Sequence, residues 1–440
     1  MKISRILHAG YAFESDGTQI LFDPVFENPF SRNCHAFPDV RFDLHQVRAL
    51  RPDAVFISHF HDDHCSLESL DLLDRATPIY LYCLFDQLFA MIRELGFGNV
   101  QPLALDVPVR VGGFEVIARR ALEADVDSMF HIRAEGLNVL NVVDSWMDPE
   151  TLEQLKPDAP WDMVLWPFQT MREVDVIAPS RAERGPVALP EEWPEQLQAL
   201  APRYVVPSSC QFRQEPWSWY NHALFPITYR QFAQAVGEWL PAAQVVRLNP
   251  SVSVELSAAG LTPSSPLPWV LPVGEQDVDY DYQPDSVPPP TADIARHFAP
   301  LTAEQTAQVL DFCRNGLLAR YEEMELPEDS YFATPCVWQL SVYDHAGAVQ
   351  QFRYQIHGDS IALSDGDEAP TWSTEIPIAK LYAGLALGES LTSMYMRIAG
   401  APADADIVDD PLIRTLFDDA FAAYQAAQLK RIKARAQQAE

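Results

Sequence analysis

Residues 54–64 read Ala-Val-Phe-Ile-Ser-His-Phe-His-Asp-Asp-His. The apolar start has the composition of a short buried strand. Its end passes directly into His59, His61, Asp63 and His64, four potential metal ligands within six residues. A strand end followed by a tight turn can aim alternate side chains at one point, so His59 and His61 suit one ion. Asp63 and His64, one turn onward, suit a neighbouring ion. A solvated polar turn is the competing reading, but burying such groups without a cation or partners is costly.

Around this stretch the sequence alternates strand and helix signals, which is the pattern of an α/β protein with mixed sheets. Residues 3–15 and 18–26 read as two strands joined by the Asp16-Gly17 turn. Residues 27–45 carry no hydrophobic period and suit a surface loop. Residues 86–97 have helical spacing and end near a glycine, and 112–121 and 129–145 read as strands around a turn. From 263 to 299 the chain is rich in proline, with five acidic residues between Glu275 and Asp285, as in an extended linker or a strap over the surface. Asp277, Asp279 and Asp281 lack the glycine and terminal glutamate of a calcium loop. Residues 300–440 then predict helices around a hairpin at 336–358. The expected organisation is a metal domain at 1–262, an acidic linker at 263–299 and an accessory α+β domain at 300–440.

Composition narrows the function. The 440 residues hold 31 Lys and Arg against 62 Asp and Glu, a net charge of −31. That balance repels phosphate backbones and anionic membranes, so neither nucleic acid nor a membrane is expected as a partner. No apolar run approaches the ~18 residues of a membrane span, and the first residues lack a signal-peptide core. Six scattered cysteines without a CxxC pair read as reduced thiols in a cytoplasmic protein. A small-molecule substrate and a homodimer complete the expectations about partners. There is no GxSxG elbow, P-loop or GxGxxG.

The HxHxDH pattern of His59–His64, following its strand and preceding a helix, resembles the metallo-β-lactamase-fold superfamily over roughly residues 1–260. The resemblance implies an αββα sandwich, with the smaller α+β domain appended, and a dinuclear metal site at one edge of its two sheets. It also implies a bridging carboxylate at the end of a later strand, for which 139–146 supplies Asp144. An anionic oxygen between two cations stabilises both. The histidine usual some twenty residues earlier is missing here. The alignment places Glu123 at that position, with Asp125 and Asp127 as alternatives, while His131 sits inside the strand. A glutamate there resembles the diiron β-hydroxylase of chloramphenicol biosynthesis, and the strand before Asp144 resembles the metal domain of the CMP-sialic acid hydroxylase. The Rieske iron–sulfur module of the latter has no counterpart, so an oxygenase of this kind needs an external electron donor.

The final histidine of the second ion falls to His222, because Ser208 and Ser209 occupy the usual place. Four further residues are candidates for the reaction itself. His8 could hydrogen-bond bound water or substrate, and Asp23 could orient a ligand imidazole. Arg172 and Arg213 could hold an anionic group. Two irons, or alternatively zinc or manganese, are the expected cofactors, since carboxylate-rich sites suit harder metals. The expected function is a diiron, O2-dependent oxygenase or hydroxylase of a small molecule. The alternative is a zinc- or manganese-dependent hydrolase of an ester, lactone, phosphodiester or amide. A scaffold with a degenerate site is the third possibility.

Overall fold

A computed structural model describes residues 1–182, 187–326, 330–402, 405–417 and 421–439. The N-terminal domain is built from two mixed sheets. The first runs in the order Gly260–Ser264, Ser253–Ser257, Lys2–Arg5, Tyr11–Ser15, Thr18–Phe22, Ala54–Ile57, Ile79–Leu81 and Val100–Pro102. The second runs Gln244–Val245, Tyr204–Ser208, Met163–Pro167, Leu137–Asn141, Ser128–Ala134, Phe114–Arg120 and Pro108–Val111. Each sheet has an antiparallel half and a parallel half.

Strand alternation explains the layers. Phe13, Phe22 and Phe56 point from the first sheet into a core shared with Phe130, Ile132 and Leu165 of the second. The Phe22 ring lies 5.0 Å from Phe130 and 5.4 Å from Phe56, centroid to centroid. Intervening residues such as Leu21, Val55, Leu140 and Val164 point outward and are covered by helices. The result is the expected αββα sandwich.

Two segments differ from the sequence reading. Residues 3–15 do not form one strand: the chain reverses at Leu7–Gly10, where Gly10 N–H bonds Leu7 O. A Cβ on Gly10 would lie 2.8 Å from the Asp23 carbonyl oxygen, so only glycine allows this reversal to pack on the next strand. Residues 27–45 are not a simple surface loop, because Phe30 and Ala36 are fully buried. His35–Ala36 pairs with Phe212–Arg213, and Val40–Phe42 pairs with Val270–Pro272. Of residues 263–299, Thr291–Ala295 packs against strand Trp372–Pro377 further on, but up to Gln283 the segment runs as a strap along the N-terminal domain. Its Tyr280 is buried, and the Tyr280 hydroxyl donates to the Cys210 and Phe212 carbonyls at 2.9 Å each.

The C-terminal region forms a five-stranded sheet, Ser360–Leu363, Val349–His357, Cys336–Tyr343, Trp372–Pro377 and Arg397–Ala399, with the hairpin where the sequence predicts it. Helix Ile378–Leu387 ends at Gly388, which takes the left-handed conformation of a helix end and, lacking a Cβ, lets Tyr424 N approach closely. The helix Ala423–Ala439 then crosses back to the N-terminal domain. There Gln425 Nε2 donates to the carbonyls of Phe60 and Cys65, at 2.7 and 2.9 Å. Gln428 accepts from Leu67 N–H and donates to Ser66 Oγ. The last helix thus clamps the turn that carries the histidine motif. All six cysteines are free thiols, and no helix among the described residues is long and apolar enough to cross a membrane.

Candidate metal centre

The potential ligands collect where strand ends from both sheets meet. Two groups form: His59, His61 and Asp127, and His8, Asp63, His64 and Asp144. Within each group the ligand atoms lie within 4.8 Å of one another. In the first, His59 Nε2 is 3.0 Å from His61 Nδ1 and 3.8 Å from Asp127 Oδ1. In the second, His8 Nε2 is 3.0 Å from Asp63 Oδ2, and His64 Nε2 is 2.9 Å from Asp144 Oδ2.

Asp144 faces both groups. Its Oδ1 lies 3.9 Å from His59 Nε2, while Oδ2 contacts His64. It reaches this position because the chain leaves strand Leu137–Asn141 through Val143, which has φ +65°. A β-branched residue rarely adopts that conformation, so backbone strain is stored beside the site.

Asp23 anchors the floor. It follows strand Thr18–Phe22 and accepts from Ser58 N–H and Ser58 Oγ, at 2.7 Å each, and from His64 Nδ1 at 3.1 Å. That fixes which His64 nitrogen faces the centre. Ser58 Oγ also lies 2.9 Å from His59 Nδ1. The buried Arg5 guanidinium donates to the His8 carbonyl oxygen and to Pro207 O, holding the turn that presents His8.

The electrostatics call for cations. Burial and the neighbouring Asp144 push the Asp127 carboxyl up to about 7. Burial opposes charge on His64, yet Asp144 and Asp63 hold it well above the usual imidazole range. Burial together with His64 and His61 holds His59 well below it. Asp127 Oδ1 and His8 Nδ1 are buried without a hydrogen-bond partner. Three carboxylates and four imidazoles arranged so, with an orphaned carboxylate oxygen, fit a pair of divalent ions.

Five of the seven ligand candidates from the sequence come together: His59, His61, Asp63, His64 and Asp144. Glu123 does not join them. It is exposed, and its carbonyl oxygen accepts from Val126 N–H and Asp127 N–H, closing a turn that swings the Asp127 carboxylate inward instead. Asp127 directly precedes strand Ser128–Ala134. The signal that finds it is position beside a strand end, shared with His59 and Asp144, rather than spacing. His222 is also outside both groups. On the short helix Tyr220–Ala223, Tyr220 and Ala223 face inward, while the half-exposed His222 lies 3.3 Å from Asp281 Oδ2 of the strap. His8 stands in the second group.

The two arginines lie apart from the ligand groups. Arg172 pairs with Asp175 at 3.0 Å. Arg213 follows Phe212, whose ring faces His8, so strand alternation turns the guanidinium the other way, over the Phe37 ring. His131 packs in the sheet, 4.4 Å from the Trp161 ring, with Asn138 and Arg133 as partners.

Residues 2–209 match the sequence model of a family described as Beta-lactamase superfamily domain. This part of the chain is a metallo-β-lactamase-fold domain. No curated protein matches the chain. Among solved structures, the domain is similar to a metallo hydrolase from the hyperthermophilic archaeon Ignicoccus hospitalis, with 19% identity over 58% of this chain and 99% of the other, at a TM-score of 0.40. It is similar to an isothiocyanate hydrolase from Delia radicum gut bacteria, with 16% identity, 59% and 100% coverage and a TM-score of 0.41. It is also similar to CmlA, a diiron beta-hydroxylase from Streptomyces venezuelae, with 17% identity, 57% coverage and a TM-score of 0.39. The match spans about half of that hydroxylase, 53% of its length. The metallo-β-lactamase-fold domain thus carries its two ligand groups at the edge of the sandwich, under the clamp of the C-terminal helix.

Proposed function

We propose that the chain is a dinuclear-metal enzyme that uses two irons and dioxygen to hydroxylate or otherwise oxidise a small molecule. His59, His61 and Asp127 would hold one ion, and His8, Asp63 and His64 the other, with Asp144 between them. The observation that carries this reading is Asp127, a carboxylate in the group of His59 and His61. Three hard oxygen donors among seven ligands suit iron better than an imidazole-rich set would. Bound iron would supply the binding and reduction of dioxygen, with electrons from an external donor. The protein's own part is positional: Asp23 and Ser58 orient His64 and His59, and Asp144 spans the two groups.

A second reading is a zinc- or manganese-dependent hydrolase, supported by the four imidazoles and by the family match. The same residues would hold the ions, whose contribution would be to acidify water. The two readings separate on the metal content of untagged protein prepared without added metal. About two irons per chain, with oxygen uptake once a reductant is supplied, is the expected result. About two zincs and no oxygen uptake would overturn the oxygenase in favour of hydrolysis. A well-folded protein that binds neither would overturn both.

A further inference from the structure

Beside the ligand groups lies a cavity of about 450 Å3 between the motif turn and the C-terminal domain. His61, a member of the first group, is part of its wall. Phe60, Phe85 and Phe421 form one side: Phe421 lies 4.6 Å from Phe60 and 4.3 Å from Phe85 between ring centroids. Leu391 and Leu416 close the other side. Phe85 is 47% exposed, so its ring is open to a ligand at the cavity mouth.

The charged lining has one sign. Asp62, Asp125 and Glu389 border the cavity, and no lysine or arginine does so among its described lining residues. Glu389 is already matched by Arg32 and Lys380. Asp62 and Asp125 pair with no lysine or arginine among the described residues. Aromatic faces and an unmatched carboxylate both favour a cation or a hydrogen-bond donor and disfavour an anion.

We propose that this cavity is the substrate pocket of the metal centre, that it takes the aryl end of an uncharged or cationic molecule, and that the C-terminal domain is its recognition element. The inference rests on the proposed role of the metal centre as the reactive site. It narrows the substrate class at the end held in this cavity, where an anionic substituent is disfavoured.

The test is direct binding to the full-length, metal-loaded protein by calorimetry, using benzyl alcohol, benzyltrimethylammonium and benzenesulfonate. These three share one ring, differ in charge and coordinate metals poorly. The expected result is that the first two bind and compete with each other, with the sulfonate at least tenfold weaker. Leu391→Trp, which fills the cavity, should weaken both binders at least tenfold, and Phe421→Ala serves as the second variant should that one fail to fold. Equal or tighter binding of the sulfonate, or unchanged affinities in a folded Leu391→Trp protein, would overturn the proposal. Metal content measured on the same samples reports separately on the centre. A loaded protein that binds no aryl probe refutes the pocket alone, whereas an unloaded protein that still binds them refutes the reactive site.

Discussion

The Nε2 atoms of His8 and His64 lie 3.2 Å apart, although 56 residues separate them in the chain. Two imidazole nitrogens that close repel unless a proton or a cation stands between them. Asp63 and Asp144 reach the same point, at 3.0 Å from His8 and 2.9 Å from His64. Donors of both kinds converge there, which makes His8 part of the centre rather than a packing residue of the first hairpin.

Removing His8 should therefore cost a metal. His8→Ala is expected to lower metal content from about two ions per chain to about one, as read by elemental analysis after dialysis, with unchanged circular dichroism. His222→Ala should leave both positions filled. Loss of metal from the His222 variant would return that residue to the centre.

The same comparison separates the two carboxylates of the 123–127 turn. Asp127→Asn should weaken one ion at least tenfold, because it removes an anionic ligand from a buried group. Glu123→Gln, on the outer face, should change affinity less than threefold. The reverse ranking would reassign the ligand.

Asp23 acts through His64 rather than on the ions. Its replacement by asparagine should weaken metal binding by roughly 10- to 100-fold, the range for carboxylates that orient ligand imidazoles. A competition titration with a chromogenic chelator measures this directly. An unchanged affinity would make the 3.1 Å contact to His64 Nδ1 incidental.

His131 predicts a pH dependence of stability away from the centre. Burial, with Arg133 and Arg119 nearby, lowers its pKa to about 4, although Asn138 and Asp158 act in the other direction. The folded value lies below the ordinary one of ~6.5, so the neutral ring's contribution is complete above that value. It is lost as pH falls towards 4, and spans about 3 kcal/mol over the window. Urea midpoints between pH 7 and 4 should fall more steeply in the native protein than in His131→Gln, and parallel slopes would refute the assignment.

Gln425 gives a prediction about coupling between the domains. Gln425→Ala removes two hydrogen bonds to the Phe60 and Cys65 carbonyls, worth about 2 kcal/mol together. Metal affinity should fall along with the thermal midpoint, since the loosened segment is the ligand turn itself. A lower midpoint with unchanged affinity would show that the helix stabilises without shaping the centre.

The fold was legible because the strands carry their own signals: apolar runs of four or five residues, the Asp16-Gly17 turn and a motif at a strand end. His59 to His64 and Asp144 were legible for the same reason, being fixed by the strands that immediately precede them. His8 was legible only as a neighbour of bound water and Asp127 only as an alternative to Glu123, because each depends on a turn whose direction is decided by packing. Leu7–Gly10 reverses against the Asp23 carbonyl, and Glu123–Asp127 closes on its own hydrogen bonds. The family resemblance favoured Glu123 and His222, and could not register that one faces solvent and the other Asp281. Gln425 lay beyond reach altogether, since nothing local marks a glutamine whose partners stand 360 residues away.

That separation has a consequence for timing. At ~5–20 residues per second, a ribosome needs roughly twenty seconds to a minute to travel from Cys65 to Gln425. Throughout that interval the nascent chain displays the histidine motif without the helix that grips it. All seven grouped residues lie between His8 and Asp144, so they leave the ribosome well before both the gripping helix and the domain that walls the neighbouring cavity.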